Sequence, residues 1–531
     1  MPPRINPARQ TALATLALLS PFLLASSCSP STPKPRGESA SGPLTHTASV
    51  RPNAPLVPLP MDDGVNKPRT SKPGDPRQLE NPQHLAAFFD KLARIEAGEP
   101  MLKARAVHYG DSHIASDMLT GVLRRHYQGR FGDGGHGFIL PGKPWRTYHH
   151  MDVDFGDSRT RDWSADRIRV RDTGTDGLLG LGGVSMRTTR RDASVWVATE
   201  DDGPVGDKVS SFEIFYLKQP NGARMSLSLD GRPAGTINTR ARATGPGYHT
   251  LRAPDGPHRL EIRAAGGGEL RLFGTALERD AAGVVYDSVG INGARHSMPT
   301  YWNIPLWQSH LTHRGHDLIV TAYGSNEVGD NLDFAQYTAQ VVKVMKDFKD
   351  ASPSSSCLIL GPPDQALIFD GTQIRLDVMD SAVKRAANDP SDPAVWDTPQ
   401  KLLDIIEALR AAADQSGCAF FNTYEAIGGA GTIDTWARAN PPLAHKDRVH
   451  MTSKGYALIA DMIFEATMRA YDAHKAIAQP NEIHSNRPTD PHADRLADPS
   501  TDLPADPSAD LPVDTQAPEI PIPAVRTIRR D

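Results

Sequence analysis

Short apolar runs alternate with amphipathic helical patterns in two stretches of the chain, residues 81–150 and 281–474. The first stretch contains one such run, which ends at Gly110. The second contains four, beginning at Val284, Leu318, Cys357 and Cys418. Strands separated by helices pair in parallel, and a parallel sheet needs helices over both faces to bury its continuous apolar strands. The pattern therefore predicts an α/β domain built on a parallel sheet.

The stretch between these two segments, residues 151–280, has a different period. Its apolar residues alternate with polar ones, as at Phe212 and Ile214, and turn pairs such as Asp230-Gly231 separate the runs. Many short alternating strands with such turns are typical of a β-sandwich. We therefore expect a β-sandwich inserted into the α/β domain.

The two ends of the chain have other compositions. Residues 1–28 contain a basic start and an apolar run that ends at Ser27-Cys28, which predicts a signal peptide and resembles a bacterial lipoprotein signal. Cys28 would then carry a lipid that anchors the protein to a membrane, and secretion without a lipid is the alternative. Residues 29–80 form a predicted disordered linker, and residues 475–531 a predicted disordered tail rich in Pro and Asp. We expect an exported protein of the cell envelope.

Composition excludes several classes of protein. The chain has 531 residues, with 58 Lys and Arg, 63 Asp and Glu, and a net charge of -5, so nucleic acid is not an expected partner. A mean hydropathy of -0.43 excludes a protein with many membrane spans. Cys357 and Cys418 are expected to be buried small apolar residues, and a disulfide between them is the alternative outside the cytoplasm.

The segment Val107–His113, with the sequence Val-His-Tyr-Gly-Asp-Ser-His, contains the candidate nucleophile. Its apolar start and the helical pattern behind it predict a strand, a sharp turn and a helix. Ser112 would then lie at the carboxyl edge of the strand with its N–H at a helix N-terminus, as an acyl-transfer nucleophile requires. The alternative is an ordinary helix cap, since Asp and Ser are common capping residues.

Other candidate residues follow strand ends or precede the last helix. Gly290 comes after the second strand of the predicted sheet and Asn326 after the third. Because ligands bind beyond the carboxyl ends of parallel strands, these residues are candidates for the same site as Ser112. Asp447 precedes His450 by three residues, and such a carboxylate can orient an imidazole as a general base.

These four blocks resemble those of the SGNH (GDSL-type) hydrolases. They are Gly-Asp-Ser at 110–112, a glycine at 290, Gly-x-Asn at 324–326 and Asp-x-x-His at 447–450, in the family's order. His113 stands where the family's name-giving motif has Leu. The inserted β-rich segment resembles the carbohydrate-binding-like sandwich that bacterial peptidoglycan O-acetylesterases carry at this position. The resemblance implies a flavodoxin-like SGNH hydrolase domain.

The resemblance also implies a role for each residue. Ser112 is the nucleophile, His450 the general base and Asp447 the residue that stabilises the imidazolium. The oxyanion hole would consist of the N–H groups of Ser112 and Gly290 and the side-chain amide of Asn326. No metal or cofactor is implied. A metal site at His310, His313 and His316 is disfavoured because no acidic or Cys ligand completes the set, and an exposed helix end is expected there instead.

The expected function is that of a serine esterase that removes O-acetyl groups from a cell-envelope or extracellular polysaccharide, with peptidoglycan as first choice. A polysaccharide O-acetyltransferase with the same triad is one alternative. A surface glycan-binding pseudo-enzyme is another, although the intact Ser112, Asp447 and His450 argue against it. The sequence does not decide the oligomeric state or whether the inserted sandwich binds sugar through aromatic residues such as Trp196 and Tyr216.

Overall fold

The computed structural model describes residues 77–168, 175–200, 205–369, 374–375 and 395–478. Its strands are β1 (Lys103–Gly110), β2 (Gly137–Ile139), β3 (Asp154–Asp157), β4 (Ser164–Arg167), β5 (Val184–Thr188), β6 (Ser194–Ala198), β7 (Val209–Lys218), β8 (Arg224–Leu229), β9 (Arg232–Asn238), β10 (Gly245–Gly256), β11 (Arg259–Gly266), β12 (Leu270–Glu278), β13 (Gly283–Gly290), β14 (Leu318–Ala322), β15 (Ser356–Leu360), β16 (Leu367–Phe369), β17 (Ile374–Arg375), β18 (Val395–Asp397) and β19 (Ala419–Phe421). Its helices are α1 (Ala86–Glu96), α2 (Ser112–Ala115), α3 (Met118–Phe131), α4 (Ile304–Arg314), α5 (Phe334–Ala351), α6 (Gln400–Ser416), α7 (Thr423–Ile427), α8 (Thr432–Arg438) and α9 (Ser453–Ala478).

A five-stranded parallel sheet forms the centre of the α/β part, with the strand order β13-β1-β14-β15-β19. Counted along the chain within this sheet, the order is 2-1-3-4-5, which is the flavodoxin-like arrangement. Gly110 at the end of β1 pairs with Gly290 of β13 on one side and Ala322 of β14 on the other. Three strands therefore end at the same level, so the loops that follow them lie side by side.

The strands of this sheet are buried on both faces, as their continuous apolar sequences predict. On β1, Val107 and Tyr109 belong to one apolar cluster, whereas Ala104 and Ala106 belong to a second cluster. Helices α1, α3 and α9 contribute to the second cluster, and α4, α5 and α6 contribute to the first. The alternation of side chains along each strand thus supplies both layers, which confirms the predicted α/β fold class.

The residues between the two α/β segments form two antiparallel sheets. One has the order β10-β7-β12-β5-β4, with β2 also paired to β12, and the other has the order β3-β6-β11-β8-β9. Apolar residues of both sheets, including Ile214, Leu272, Val195 and Ile262, lie in the same buried cluster, as expected of a sandwich. Tyr216 is buried in this core, and the ring of Trp196 is covered by Arg259 at 3.7 Å.

Buried ion pairs fix the sandwich to the edge of the parallel sheet. Glu278 at the end of β12 binds Arg105 of β1, with Arg105 Nε 2.8 Å from Glu278 Oε1. Arg314 of α4 contacts Glu278 and also donates from Nε to Asp287 Oδ2 of β13 at 2.9 Å. Asp287 Oδ1 in turn accepts the N–H of Phe138 in β2 at 2.8 Å. Because an unpaired buried charge is costly, these pairs favour this one relative position of the sandwich and the parallel sheet.

Two local expectations differ from the structure. Cys357 and Cys418 are buried as expected, but they form a disulfide, with Cα atoms 4.8 Å apart, because β15 and β19 are neighbours. The expected exposed helix end at His310–His316 is correct only for His313, because His310 is buried against Phe273 of the sandwich and His316 is buried beside Asp287.

Several sequence predictions concern residues outside the described part of the chain. The signal peptide, Cys28 and nearly all of the predicted linker and tail lie outside the residues that the structure describes. Regular structure extends slightly beyond the predicted limits of the hydrolase domain, since Glu80 pairs with Phe420 and α9 continues to Ala478. Within the described residues, no helix is long and apolar enough to cross a membrane.

Candidate active site

The turn between β1 and α2 presents Ser112 at the carboxyl edge of the sheet, as the sequence predicts. The helix cap is Asp111, whose Oδ1 accepts the N–H of His113 at 2.9 Å, so the capping role does not occupy the Ser112 hydroxyl. Gly110 allows the sharp turn, because a Cβ there would lie 2.2 Å from Ile114 Cγ1. Ser112 remains half-buried and accessible at the first position of the helix.

The loop before α9 brings His450 and Asp447 to Ser112, across 338 residues of sequence. His450 Nε2 lies 2.9 Å from Ser112 Oγ, and His450 Nδ1 lies 2.8 Å from Asp447 Oδ2. Asp447 Oδ1 accepts the N–H groups of Val449 and His450, each at 3.0 Å. Arg448 takes a left-handed conformation, φ 52°, that turns the loop so that the carboxylate and the imidazole face each other.

The charges of this pair are mutually stabilising. Burial opposes ionisation of Asp447, but the hydrogen bond and charge of His450 outweigh it and lower the pKa of Asp447 to about 2. Burial likewise opposes protonation of His450, but the bond to Asp447, its charge and the charge of Asp111 raise the pKa of His450 above its ordinary 6.5. The arrangement favours an imidazole that accepts a proton at Nε2 while Nδ1–H points at the carboxylate.

Asn326 reaches the same site from the loop after β14. Its side-chain Nδ2 donates to Asp111 Oδ2 at 3.2 Å and to the carbonyl oxygen of Ala294 at 3.1 Å. The amide thus links the turn of Ser112 with the turn after β13. Burial raises the pKa of Asp111 to about 6, against the bond from the His113 N–H and the charges of His450 and Arg295.

Gly290 lies at the end of β13, directly against the helix that begins with Ser112. A Cβ at Gly290 would lie 2.2 Å from the backbone N of Ala115, so only glycine fits this close approach. Its role in the oxyanion hole stays a prediction. The sequence interpretation did not consider Gly293, a half-buried glycine at φ 79° with open space where a Cβ would be. The second glycine of the segment Gly290-Ile-Asn-Gly293 was the feature of the sequence that could have pointed to Gly293.

Two other residues that the sequence interpretation missed hold these loops in place. Arg295 donates to Gly293 O at 2.7 Å, to Asn326 O at 3.3 Å and to both carboxylate oxygens of Asp330 at 2.8 Å. Glu327, which is buried, accepts the N–H of His296 at 2.8 Å and that of Gly324 at 3.1 Å. Burial raises the pKa of Glu327 to about 7, and the charge of Asp111 adds to this shift. In the sequence, Glu327 could have been noticed as a charged residue directly after the Gly-x-Asn block.

The residues that the sequence singled out are therefore together in space. Ser112, His450 and Asp447 form one continuous hydrogen-bonded series, and Gly290 and Asn326 border the turn of Ser112. Within the part of the chain that the structure describes, no group of three or more His, Cys, Asp or Glu side chains is arranged to hold a metal ion. The arrangement has the parts that nucleophilic acyl transfer requires: a hydroxyl, a base and an orienting acid.

Comparison with solved structures extends this picture. The chain resembles a structure described as a peptidoglycan O-acetylesterase in action, with a TM-score of 0.57 and 23% sequence identity over 73% of this chain and 96% of that chain. The chain therefore has the fold of that structure, in agreement with the predicted fold class. A family two carbohydrate esterase from Cellvibrio japonicus also matches, with a TM-score of 0.23 and 11% identity over 60% of this chain and 98% of that one. No family model and no curated protein matches the chain.

The strand order of this fold explains why the four blocks converge. In the strand order β13-β1-β14, the blocks at 110–112, 290 and 324–326 follow three adjacent strands, and the block at 447–450 precedes the last helix. The prediction of a flavodoxin-like sheet with an inserted sandwich is confirmed. The roles of the individual residues remain proposals.

Proposed function

We propose that the chain is an exported serine esterase that removes O-acetyl groups from a cell-envelope or extracellular polysaccharide, with peptidoglycan as the first choice. One observation carries the proposal. Ser112 Oγ lies 2.9 Å from His450 Nε2, and His450 Nδ1 lies 2.8 Å from Asp447 Oδ2. A serine hydroxyl that is hydrogen-bonded to an oriented imidazole is an activated nucleophile for ester carbonyls.

In the first half of the reaction, Ser112 Oγ bonds to the acetyl carbonyl carbon while its proton moves to His450 Nε2. The imidazolium is stabilised by Asp447, whose depressed pKa keeps it ionised throughout. The C–O bond to the sugar then breaks, and the sugar oxygen takes the proton from His450. In the second half, His450 removes a proton from water, the resulting hydroxide attacks the acetyl-Ser112 carbonyl, and acetate leaves with Ser112 Oγ reprotonated.

The negative oxygen of each tetrahedral intermediate needs hydrogen-bond donors. The proposed donors are the N–H of Ser112 at the start of α2, the N–H of Gly290 and the Asn326 amide. The Asn326 amide already donates to Asp111 and Ala294, so a bond to the oxyanion has to share or replace one of these contacts. The longer contact, 3.2 Å to Asp111, is the one we expect to give way. Each donor is typically worth about 10²–10³ in rate.

Two features support the substrate and the location. The likeness to a peptidoglycan O-acetylesterase spans 96% of that chain and 73% of this one. The disulfide between Cys357 and Cys418 is of a kind that persists in oxidising compartments, which supports export. The anchor through Cys28 follows from the lipoprotein-like signal alone.

Acetate release from p-nitrophenyl acetate by the purified soluble part of the protein tests the esterase. We expect the wild type to release acetate and Ser112→Ala to lose this activity. Ser116→Ala is the matched control, since Ser116 lies four residues on and its buried hydroxyl has no hydrogen-bond partner among the described residues. Equal activity of wild type and Ser112→Ala would refute the proposal, and no activity in either would favour the glycan-binding alternative.

Natural substrates decide the finer points. Release of acetate from O-acetylated peptidoglycan but not from acetylated xylan would establish the substrate class, and the opposite preference would overturn peptidoglycan as first choice. Transfer of the acetyl group to a sugar hydroxyl in place of acetate release would identify a transferase. Cys28→Ala tests the anchor separately, because a protein that stays in the membrane fraction without Cys28 is held by something else.

A further inference from the structure

His113 stands directly after the proposed nucleophile, where the family's name-giving motif has Leu. Its side chain is buried, and both ring nitrogens have hydrogen-bond partners from distant parts of the chain. His113 Nδ1 lies 3.0 Å from Tyr456 Oη on α9, and His113 Nε2 lies 3.1 Å from Ser325 Oγ in the loop after β14. An imidazole at this position therefore makes contacts that a leucine cannot make.

The hydrogen bonds need a neutral ring. A neutral imidazole donates from one ring nitrogen and accepts at the other, and the hydroxyls of Tyr456 and Ser325 can serve either tautomer. Burial and the nearby positive charge on His450 lower the pKa of His113 to about 3, so the ring stays neutral and makes one bond of each kind.

The residues of this series are close in sequence to the three parts of the proposed site. Tyr456 lies six residues after His450 in the first turn of α9, Ser325 precedes Asn326, and His113 follows Ser112. The rings of His113 and His450 are also in contact, with centroids 5.5 Å apart. The series Tyr456–His113–Ser325 therefore connects the base, the nucleophile and the amide through buried groups whose positions depend on one another.

We propose that His113 is a positioning residue, which holds the loops of His450 and Asn326 in register with Ser112 through its bonds to Tyr456 and Ser325. This inference rests on the proposed esterase function. It predicts that loss of the imidazole lowers the rate per intact site and leaves KM unchanged, because no atom of His113 is expected to bind substrate. A shift of an ångström in one of these loops is enough to cost about 10²-fold in rate.

The competing explanation is that His113 only fills space. A cavity of about 30 Å³ lies beside it, lined in part by Ile114, Leu360, Ile459 and Ile463. Leucine, an apolar residue without a hydrogen-bonding group, suits these surroundings and has room there. If the role were packing, kcat of His113→Leu would therefore be at least as high as that of His113→Asn. If the role is hydrogen bonding, His113→Asn should have the higher kcat, since its side-chain amide can bond to Tyr456 Oη in place of Nδ1.

The test measures kcat and KM on p-nitrophenyl acetate for the wild type, His113→Leu, His113→Asn and Tyr456→Phe. Rates are normalised to the fraction of Ser112 that reacts with a fluorophosphonate probe, so misfolded protein does not count. Tyr127→Phe is the matched control, because it also removes a buried tyrosine hydroxyl beside α9, where the Tyr127 ring packs against Phe464 away from the site. Its kcat should equal that of the wild type.

We expect kcat per titrated site to fall about 10–100-fold in His113→Leu and less in His113→Asn, with KM unchanged in both. Tyr456→Phe should also lose rate, and its combination with His113→Leu should lose less than the product of the two single losses. Unchanged kcat in His113→Leu, or a higher rate in Leu than in Asn, would overturn the inference. If the wild type is active and the variants give either of these results, only the positioning role is refuted. If the wild type is inactive, the esterase and this inference are refuted together.

Discussion

Asp447→Asn isolates the orientation of the general base, because it keeps the shape of the side chain and changes one group. Asp447 Oδ1 accepts the N–H groups of Val449 and His450, and an amide oxygen can keep both of these bonds. The amide NH₂ then occupies the place of Oδ2 and donates to His450 Nδ1. The imidazole proton moves to Nε2, which faces Ser112 Oγ and can no longer accept its proton.

The expected loss includes the interaction of the pair and the change of tautomer. The pKa of Asp447 is about 2 against an ordinary 3.8, which corresponds to roughly 2 kcal/mol, and partial exposure of the side chain reduces this to about 1–2 kcal/mol. In Ser-His-Asp triads the substitution as a whole, with the wrong tautomer, costs about 10⁴ in kcat. We therefore expect kcat to fall about 10³–10⁴-fold, or about 4–5.5 kcal/mol in activation free energy.

The assay is the steady-state hydrolysis of p-nitrophenyl acetate, with the melting temperature measured in parallel. KM should match that of the wild type, and the melting temperature should fall only slightly, since the loop loses the charged pair but keeps its backbone bonds. Asp434→Asn is the matched control, because Asp434 binds Arg448 in the same loop without touching His450. A kcat within tenfold of the wild type for Asp447→Asn would show that Asp447 does not orient the base.

The remaining predictions concern pH and the disulfide. His450 must be neutral to accept a proton, and its pKa is raised, so kcat/KM should fall with decreasing pH through a midpoint above 6.5, as measured in a pH profile at constant ionic strength. A midpoint below 6.5 would contradict the stabilising role of Asp447. Replacing Cys357 and Cys418 together with Ala should lower the free energy of unfolding by about 2–4 kcal/mol in urea denaturation, because the disulfide closes a loop between residues 61 apart. An unchanged unfolding free energy would mean that the cross-link does not constrain the unfolded chain.

Local patterns in the sequence were sufficient for the fold class and for the main candidates. The change of period at residues 151–280 predicted the sandwich, because side-chain alternation reflects which face of a strand is buried. The strand, turn and helix around Ser112 followed from adjacent residues for the same reason. Asp447 and His450 were recognisable because three residues separate them, and their mutual contact is a property of one short loop.

Other features depend on which distant segments become neighbours. The disulfide could not be chosen over two buried thiols until β15 and β19 were known to pair side by side. The need for glycine at 290 appears only when the backbone of Ala115 is found against it. The expectation of an exposed helix end at His310 failed because the sandwich, whose docking surface the sequence does not specify, covers that face.

The sequence by itself determined the succession of elements and the residues able to perform acyl transfer, since both depend on periodicity and residue type. Only the tertiary structure decided their mutual distances. Ser112 and His450 are 338 residues apart, and His113 finds Ser325 and Tyr456 at separations of 212 and 343 residues. Hydrogen bonds form only over short distances, so these bonds form only when the parallel strands end at one level and α9 packs beside them.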